Sequence, residues 1–353
     1  MLMIFCVSVR GLQMKRNKIP VGLIAEKLSV SPATVSRTIN HPDLVKPETR
    51  ELVQKTLNQM GYNSDLCSKP DNNKLVIVVV PSINNPFYNE VLNGIKTSMN
   101  SHEYNVLLHI GSLKASTYES FLNLCKDTKA MGIINLSGRM EAGLLNSLDT
   151  EIPVVQCSEY NKDSSVPYTS INDFASAYNA TKQIIACGYD KIAIVNGPAN
   201  FNYAQERLKG FEKALQEENI FLPYHWKVFL PDIGYDIAYS ALCQLLCNSA
   251  NRPNALFCAS DVFAISALKA ASRFNIKVPD ELGIVGFDNI DITGVSIPSI
   301  TTVNQPCFKL GFTASEMLIE RMTSPHMVQQ PILLETELIN RDSLTQYKNN
   351  HSY

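Results

Sequence analysis

From residue 74 onward, short runs of hydrophobic residues alternate with longer segments in which apolar positions recur at helical spacing. The first run, residues 75–80, is apolar throughout, which is typical of a parallel strand covered by helices on both faces. Such alternation predicts a doubly wound α/β fold. About 270 residues are many for one sheet of this kind, so we expect two lobes, with residues 301–343 crossing back between them. The predicted strands span residues 75–80, 105–110, 132–136, 153–157, 192–196, 227–230, 255–258 and 283–286.

Residues 19–62 show a different pattern, in which three short segments carry apolar residues at helical spacing. Helices are predicted over residues 22–28, 32–40 and 47–60. Ser31 is a good N-cap for the second helix, and Pro32 fits the first position of that helix. Two short helices joined by a tight turn are typical of a helix-turn-helix domain, so we expect an all-α head in front of the α/β body.

The pattern divides the chain into five segments. We expect a disordered N-terminal extension over 1–18, a helix-turn-helix DNA-binding domain over 19–62 and a polar, flexible linker over 63–73. A two-lobed effector-binding and dimerisation domain over 74–345 and a tail over 346–353 follow.

Residues 1–9 are apolar but too short to span a bilayer, which takes roughly 20 residues. They also lack the basic start of a secretory signal, so we expect a cytoplasmic protein with no membrane contact, and Met14 is an alternative start.

Charge is distributed unevenly along the chain. Residues 14–69 hold nine Lys and Arg against five Asp and Glu, whereas residues 70–353 hold 21 against 28. A basic head on an acidic body indicates polyanion binding, although a chance cluster of solvated lysines gives the same count.

The nine cysteines follow no regular spacing, which is typical of free thiols in a reducing compartment. Cys243 and Cys247 share a helical face without further ligands, so we expect no metal site and no cofactor.

The run Val30-Ser31-x-Ala33-Thr34-Val35-Ser36-Arg37 resembles the helix-turn-helix of the lac repressor family. Residues 45–50 and the pair Gly61-Tyr62 extend the resemblance, while Ser29 stands where the family often has glycine in the turn. The resemblance implies a transcription regulator that binds a double-stranded DNA operator. The residues expected to contact DNA are Ser31, Pro32, Ala33, Thr34, Ser36, Arg37 and Asn40.

The roles expected in this set differ. Residues 32, 33 and 37 match the family's base-reading positions, and Arg37 alone among them can make a bidentate contact to guanine, worth about 1–3 kcal/mol. Pro32 and Ala33 offer apolar contact, and the remaining polar residues are expected to hold phosphates. The alternative for Arg37 is a solvated surface arginine.

The family's hinge helix is not evident after Tyr62. Its matching positions carry polar residues that include Asp65 and Asp71, and Pro70 stands beside the place of the leucine that wedges into the minor groove. Because proline disfavours a helix interior, we expect a flexible tether and little bending of the operator.

Small-molecule ligands of open α/β sheets bind outside the carboxyl ends of the strands. The segments that follow predicted strands, 81–88, 158–159, 197–207, 260–261 and 286–289, mix aromatic rings with charged and amide groups. Rings offer flat faces to a base or a sugar, and charged groups bind hydroxyls. A sugar or nucleoside pocket is therefore expected here.

These segments also resemble the sensor of the lac repressor family, whose two lobes are folded like a periplasmic binding protein. The motifs on which this resemblance rests include Asn85-Pro86-Phe87-Tyr88, Arg207-Leu208-x-Gly210-Phe211 and Gly286-Phe287-Asp288. The likeness is greatest to the cytidine-responsive members, which implies a nucleoside effector; ribose or a hexose is the alternative. The effector-binding residues implied are Phe87, Tyr88, Glu159, Arg207, Phe229, Asp261 and Asp288.

Within this set, Arg207 and Asp288 are implied to hold hydroxyls, and Phe87, Tyr88 and Phe229 to line or stack on the ring. Other interpretations stay open. Asp261 fits an N-cap, Tyr88 and Phe229 fit a core or interface, and Arg207 could pair with Glu206 or Glu212.

Two other classes of function compete with a regulator. An enzyme is disfavoured because none of the six histidines falls in a nucleophile-elbow or metal-ligand pattern, and no phosphate-binding glycine loop is evident. A periplasmic solute-binding protein is disfavoured by the basic head and the missing export signal. The expected mechanism is an effector-controlled repressor that binds a pseudo-palindromic operator as a homodimer, with a second transcription regulator as a possible partner.

Overall fold

The computed structural model describes residues 21–40, 44–60, 74–138, 140–324 and 329–347. They fall into two compact units, one within residues 1–72 and the other within 73–353. The predicted extension over 1–18 and the linker over 63–73 lie outside the described residues, as does the tail from residue 348 on. No helix in the described ranges is both long enough and apolar enough to cross a membrane.

The small unit contains three helices, α1 (Val21–Leu28), α2 (Pro32–Asn40) and α3 (Pro47–Gln59). Each lies within one residue of its predicted bounds. The helices are short and bury one apolar face each, so they are stable only when packed together. Their shared core consists of Ile24, Ala25, Val35, Val53 and Leu57.

The turn between α1 and α2 depends on a left-handed residue. Ser29 has φ +53°, a region that costs an L-residue other than glycine roughly 1–2 kcal/mol. The following N–H, that of Val30, donates to the carbonyl of Ala25 at 3.0 Å and closes the end of α1. Serine at the place where the family often has glycine therefore strains this turn.

The large unit has two sheets, and the first lobe is built on the first of them. Its six strands run parallel in the order β11-β5-β4-β3-β1-β2. Alternate residues of β1 enter different cores, Val76 and Val78 on the side of α4 and α12 and Ile77 on the side of α5 and α6. The elements are β1 (Leu75–Val80), α4 (Phe87–Ser101), β2 (Asn105–Ile110), α5 (Tyr118–Asp127), β3 (Gly132–Asn135), α6 (Ala142–Glu151), β4 (Val154–Cys157), β5 (Tyr168–Ile171), α12 (Cys307–Thr323) and β11 (Ile332–Leu334).

The second lobe repeats this arrangement, with strand order β12-β10-β9-β8-β6-β7. All pairings are parallel except that of β12 with β10. Helices α7 and α8 pack against each other and share a core with the first lobe, whereas α9 and α10 bury a separate core. The elements are α7 (Asp173–Ala186), β6 (Ile192–Asn196), α8 (Asn202–Glu217), β7 (Lys227–Phe229), α9 (Tyr235–Leu246), β8 (Ala255–Cys258), α10 (Asp261–Arg273), β9 (Gly283–Asp288), α11 (Ile292–Val295), β10 (Thr301–Asn304) and β12 (Glu337–Ile339).

The chain passes between the lobes at three places, after β5, after β10 and after β11. In each sheet the strand order reverses direction beside the first strand of that lobe, at β1/β3 and at β6/β8. Ligands of doubly wound sheets bind at such switch points, outside the carboxyl ends of the strands. The predicted fold class, a helix-turn-helix head and a two-lobed doubly wound α/β domain, is confirmed.

Candidate functional site

The exposed side of α2 carries the residues predicted to read bases. Pro32, Ala33 and Arg37 are exposed, while Val35 on the opposite side is buried in the head's core. This division follows from helical spacing, since residues 33 and 37 lie one turn apart and residue 35 faces away from both. Arg37 is therefore placed where a guanidinium could enter a DNA groove.

The polar residues of α2 also stabilise the start of the helix. Ser31 Oγ accepts a hydrogen bond of 3.0 Å from the N–H of Thr34, which makes Ser31 the N-cap. The hydroxyls of Ser31 and Thr34 are 2.8 Å apart. Thr34 and Ser36 are half-buried, and the side chain of Asn40 lies outside the described part of the chain. Contacts of these residues with phosphates stay predictions.

A cleft between the two lobes brings together five of the seven predicted effector residues. Its inner part is a small cavity of about 40 Å³ lined by Phe87, Tyr88, Glu159, Arg207 and Asp288. Further residues from both lobes complete the wall: Asn85, Ser158, Phe201, Tyr203, Ile233, Ala259, Ser260 and Gln305. The lining follows the ends of β1, β4, β6, β7, β8, β9 and β10, as expected for the ligand side of both sheets.

A larger cavity of about 290 Å³ continues from this inner part. Asn85, Tyr88, Phe201, Tyr203 and Ile233 line both spaces. Three of these five side chains are aromatic, so the passage presents rings to anything that occupies it. On the far side of Phe87 and Asp288 lies a third cavity, of about 260 Å³.

The buried guanidinium of Arg207 is held from several sides. Its Nε donates to Asp173 at 2.8 Å and its Nη1 to the carbonyl of Ala259 at 2.7 Å. The ring of Phe287 lies 3.5 Å from the guanidinium carbon, and the ring of Tyr203 lies 4.9 Å from it. The alternative pairing with Glu206 or Glu212 does not occur, since those residues bind Lys209 and Lys227. A guanidinium fixed in this way has donors left for a ligand.

Asp288 forms the acidic part of the inner cavity. One of its carboxylate oxygens accepts from Gln305 Nε2 at 2.7 Å and the other from Ser260 Oγ at 2.9 Å. Burial raises the pKa of Asp288, and Arg207 partly offsets this effect. The residue has φ +120°, a backbone strain that is often found at functional sites.

Two polar atoms near Arg207 and Asp288 lack partners. Gln305 Oε1 and the hydroxyl of Tyr203 are buried and make no hydrogen bond within the described residues. Unsatisfied buried groups are costly, and they are commonly satisfied by a ligand or by ordered water. The inner cavity thus offers both donors and acceptors, as a polyhydroxylated ligand requires.

Glu159 belongs to the first lobe and binds the start of α8 in the second. Its Oε1 accepts from the N–H of Asn202 at 2.6 Å and its Oε2 from that of Tyr203 at 3.3 Å. A carboxylate is stabilised at a helix N-terminus because free N–H groups and the helix dipole meet there. Burial nevertheless raises the pKa of Glu159 to about 8. Burial also raises the pKa of Tyr88, so this phenol stays neutral.

The two remaining predicted residues, Asp261 and Phe229, lie outside these cavities. Asp261 is buried at the start of α10, where it accepts from Thr302 Oγ1 at 2.7 Å and from the N–H of Ile290 at 2.9 Å. The N-cap of α10 is Ser260 and not Asp261. Phe229 ends β7 and is 43% exposed. Their roles in effector binding stay predictions without support from the cavity geometry.

Several lining residues were not singled out in the sequence. Phe201 and Tyr203 lie inside a segment that the strand rule selected, although nothing distinguished them from their neighbours, and Asn85 opens a quoted motif without having been assigned a role. Ile233 follows β7 and Gln305 follows β10, a strand that the hydrophobic pattern missed. The acid that binds Arg207, Asp173, carried no signal in the sequence.

The described residues give no sign of a metal centre or a disulfide. No group of three or more His, Cys, Asp or Glu side chains in these ranges is arranged to hold an ion. The seven cysteines that can be described are free thiols.

An exposed recognition helix and a separate domain with a polar, ring-lined cleft define a DNA-binding regulator with a small-molecule sensor. Comparison with known proteins agrees with this class. Residues 24–65 match the family described as bacterial regulatory proteins, lacI family, and residues 181–344 match the periplasmic binding protein-like domain.

Relatives match along most of the chain. The HTH-type transcriptional repressor CytR of Escherichia coli strain K12 is 31% identical, over 91% of this chain and 94% of its own. The ribose operon repressor of Haemophilus influenzae is 29% identical, over 92% and 98%. The solved complex of the transcriptional regulator CelR with cellobiose superposes with a TM-score of 0.70 at 26% identity, covering 92% of this chain and all of that one. The chain belongs to the lacI family of bacterial regulatory proteins, and it is a sequence-specific transcription regulator modulated by a small molecule.

Proposed function

We propose that this regulator is a repressor that senses a nucleoside such as cytidine between its two lobes. The observation that carries the proposal is that Arg207 and Asp288 both line the inner cavity, beside a ring-lined passage. A guanidinium and a carboxylate together bind vicinal hydroxyls, each charge-assisted hydrogen bond contributing roughly 1.5–3 kcal/mol. The rings of Tyr88, Phe201 and Tyr203 would then lie against the base.

A sugar is the alternative effector for the same class of regulator. It is supported by two relatives, one named for the ribose operon and the other solved with cellobiose. A free sugar would use the pair of Arg207 and Asp288 but leave much of the cavity of about 290 Å³ unfilled. The larger cavity therefore favours a ligand that carries a base in addition to a ribose.

The control mechanism we propose is linkage through lobe closure. The cleft is formed by both lobes, and Glu159 of one lobe binds α8 of the other. An effector that binds in the cleft should therefore change the distance between the lobes. Coupling free energies between two sites are typically 1–3 kcal/mol, and operator DNA must change effector affinity by the same factor. Repression relieved by the effector is the expected sign. Co-repression, or control through a second transcription regulator, is the alternative.

A cytoplasmic homodimer is the expected form of the protein. A two-fold dimer matches the symmetry of a pseudo-palindromic operator, and each head contributes the exposed face of one α2. Exposed apolar side chains on the large unit could be covered by a second copy, among them Leu108 and Ile110 on the edge strand β2, Val295 at the end of α11 and Ile297 after it. Sedimentation equilibrium of the full chain is expected to give twice the mass of 39.2 kDa.

The DNA-contacting set that we propose is Ser31, Pro32, Ala33, Thr34, Ser36, Arg37 and Asn40. The exposure of Pro32, Ala33 and Arg37 along one side of α2 supports it. Base reading is assigned to these three, and phosphate contact to the polar residues of the set.

A calorimetric titration of the full chain tests the effector class. Cytidine, adenosine, uridine, ribose and several hexoses are titrated in turn into the wild type, Arg207→Ala and Asp288→Ala. Binding of cytidine that both substitutions abolish supports a nucleoside sensor. Binding of a sugar with no response to any nucleoside overturns the nucleoside assignment and leaves the regulator class intact. Glu206→Gln, which removes a carboxylate of α8 outside the cavities described, is the matched control.

A further inference from the structure

Two carboxylates lie within 4 Å of the Arg207 guanidinium, and only one of them accepts a hydrogen bond from it. Nε is 2.8 Å from Asp173 Oδ1, whereas Nη1 is 3.9 Å from Asp288 Oδ1. All three side chains are at most 6% exposed. The buried arginine is therefore paired with Asp173, at the start of α7, and not with the acid of the cavity.

Arg207 and Asp288 carry opposite charges and lie close together, yet no hydrogen bond joins them. Opposite charges attract strongly when water is excluded, and a buried guanidinium without a hydrogen-bonded acid is costly. Arg207 would gain by turning toward Asp288, were it not held elsewhere. Its Nε bond to Asp173 and its Nη1 bond to the carbonyl of Ala259 fix the guanidinium plane at two points.

Asp173 is not among the residues that line the cavities described above. It therefore acts on a ligand through residues that do line them, and the one to which it is hydrogen-bonded is Arg207. We propose that Asp173 is a positioning residue, which holds the guanidinium apart from Asp288 and so keeps both groups free to bind hydroxyls of the effector. This inference rests on the proposed effector site.

The arrangement explains why the cavity keeps its polar groups available. If Arg207 and Asp288 were joined directly, each would satisfy the other and a ligand would have to break the pair before binding. With Asp173 in place, the guanidinium has donors to spare, and the oxygens of Asp288 accept from neutral partners, Ser260 and Gln305. Preorganisation of this kind lowers the free energy spent when the effector binds.

The substitution Asp173→Asn tests the proposal in the full chain. Asparagine keeps the shape of the side chain and one acceptor oxygen, but it removes the charge that competes with Asp288. In a crystal structure of the unliganded variant we expect the Arg207 Nη1–Asp288 Oδ1 distance to shorten from 3.9 Å to a direct hydrogen bond. In calorimetry we expect cytidine to bind roughly ten-fold more weakly or worse, as when residues that orient metal ligands are replaced.

The matched control is Asp149→Asn. Asp149 forms an ion pair of 2.7 Å with Arg321 in the first lobe and lines none of the cavities described. Both variants remove one acid from an arginine pair, so a general loss of stability should lower the melting temperature of both. Weaker cytidine binding in Asp173→Asn alone supports the positioning role.

The crystal structure and the calorimetry test this inference and the proposed effector separately. If wild type does not bind cytidine, the nucleoside assignment fails, yet the crystal structure of Asp173→Asn still decides the role of Asp173. An unchanged distance of 3.9 Å in that structure overturns the inference, whatever the calorimetry shows. Cytidine affinity equal in wild type and variant also overturns it.

Discussion

Glu159 Oε1 lies 2.6 Å from the backbone nitrogen of Asn202, the first residue of α8. Glu159 follows β4 of the first lobe, whereas α8 belongs to the second, so this hydrogen bond joins the lobes beside the effector cavity. The same helix carries Arg207 at its sixth position. A change in the protonation of Glu159 should therefore affect both the closure of the lobes and Arg207, the residue assigned to effector binding.

Because Glu159 is buried, the stability of the large unit should depend on pH around neutrality. Burial raises the pKa of Glu159 to about 8, while Asp173 nearby raises it further and Arg207 lowers it. The folded protein thus binds this proton more tightly than the unfolded chain does. The contribution of the group is fully present below the unfolded pKa, and it is lost as pH rises through about 8. The loss amounts to at most about 1.4 kcal/mol per pH unit.

Urea unfolding of wild type and Glu159→Gln at pH 6, 7 and 8 measures this effect. Other buried groups face the same region, namely Asp173, Asp288, Tyr88, Tyr203 and Arg207, so the difference between the two proteins isolates Glu159. We expect the free energy of unfolding of wild type to fall more steeply with pH than that of the variant. Parallel curves would contradict the raised pKa.

Replacing Ser29 by glycine should stabilise the head. Ser29 has φ +53°, which glycine adopts without cost, so Ser29→Gly is expected to gain up to about 1 kcal/mol. Hydrogen exchange of the amides of α1 and α2 in the full chain reports the change, and their protection should rise. Ser29→Ala is the control, since alanine keeps the strain. Equal protection in the two variants would show that the turn is not strained.

Two of the four strands in the described ranges that the sequence did not reveal, β5 and β10, were missed for the same physical reason. All eight predicted strands are present, with ends that differ by at most two residues. In contrast, β5 and β10 contain buried hydroxyl residues, such as Thr169, Thr301 and Thr302, which a search for apolar runs passes over. Thr302 can be buried because its hydroxyl donates to Asp261, a partner 41 residues away in the chain. Long-range pairing of this kind leaves no local pattern.

The residues of the candidate effector site could likewise be predicted only where a local sequence pattern marked them. The strand-end rule selected the segments that hold Tyr88, Glu159, Arg207 and Asp288, since it depends on local patterns and a common topology. It could not place Gln305, because this residue follows an unrecognised strand. Nor could it show that Asp173 binds Arg207, since their contact spans 34 residues and two helices.

The contrast between Ile233 and Phe229 yields a prediction for effector binding. Ile233 lines both the inner and the larger cavity, whereas Phe229 lines neither and is 43% exposed. Truncating an apolar side chain that a ligand covers costs roughly 1–3 kcal/mol. Cytidine affinity measured by calorimetry should therefore fall about five-fold or more in Ile233→Ala and stay near wild type in Phe229→Ala. The reverse order would restore Phe229 as the residue that faces the ligand from the second lobe.

Arg37 provides the sharpest test of DNA recognition. Its side chain is exposed on α2, away from the buried Val35, and it can donate two hydrogen bonds to guanine. Arg37→Ala should weaken operator binding by about 1–3 kcal/mol and leave binding to unrelated DNA nearly unchanged. Arg37→Lys should recover little of the loss, because an ammonium lacks the bidentate geometry. Lys55→Ala, which removes an exposed charge from α3, is the control in the same gel-shift titration, and a loss of equal size on both DNAs in Arg37→Ala would assign Arg37 to the phosphates instead.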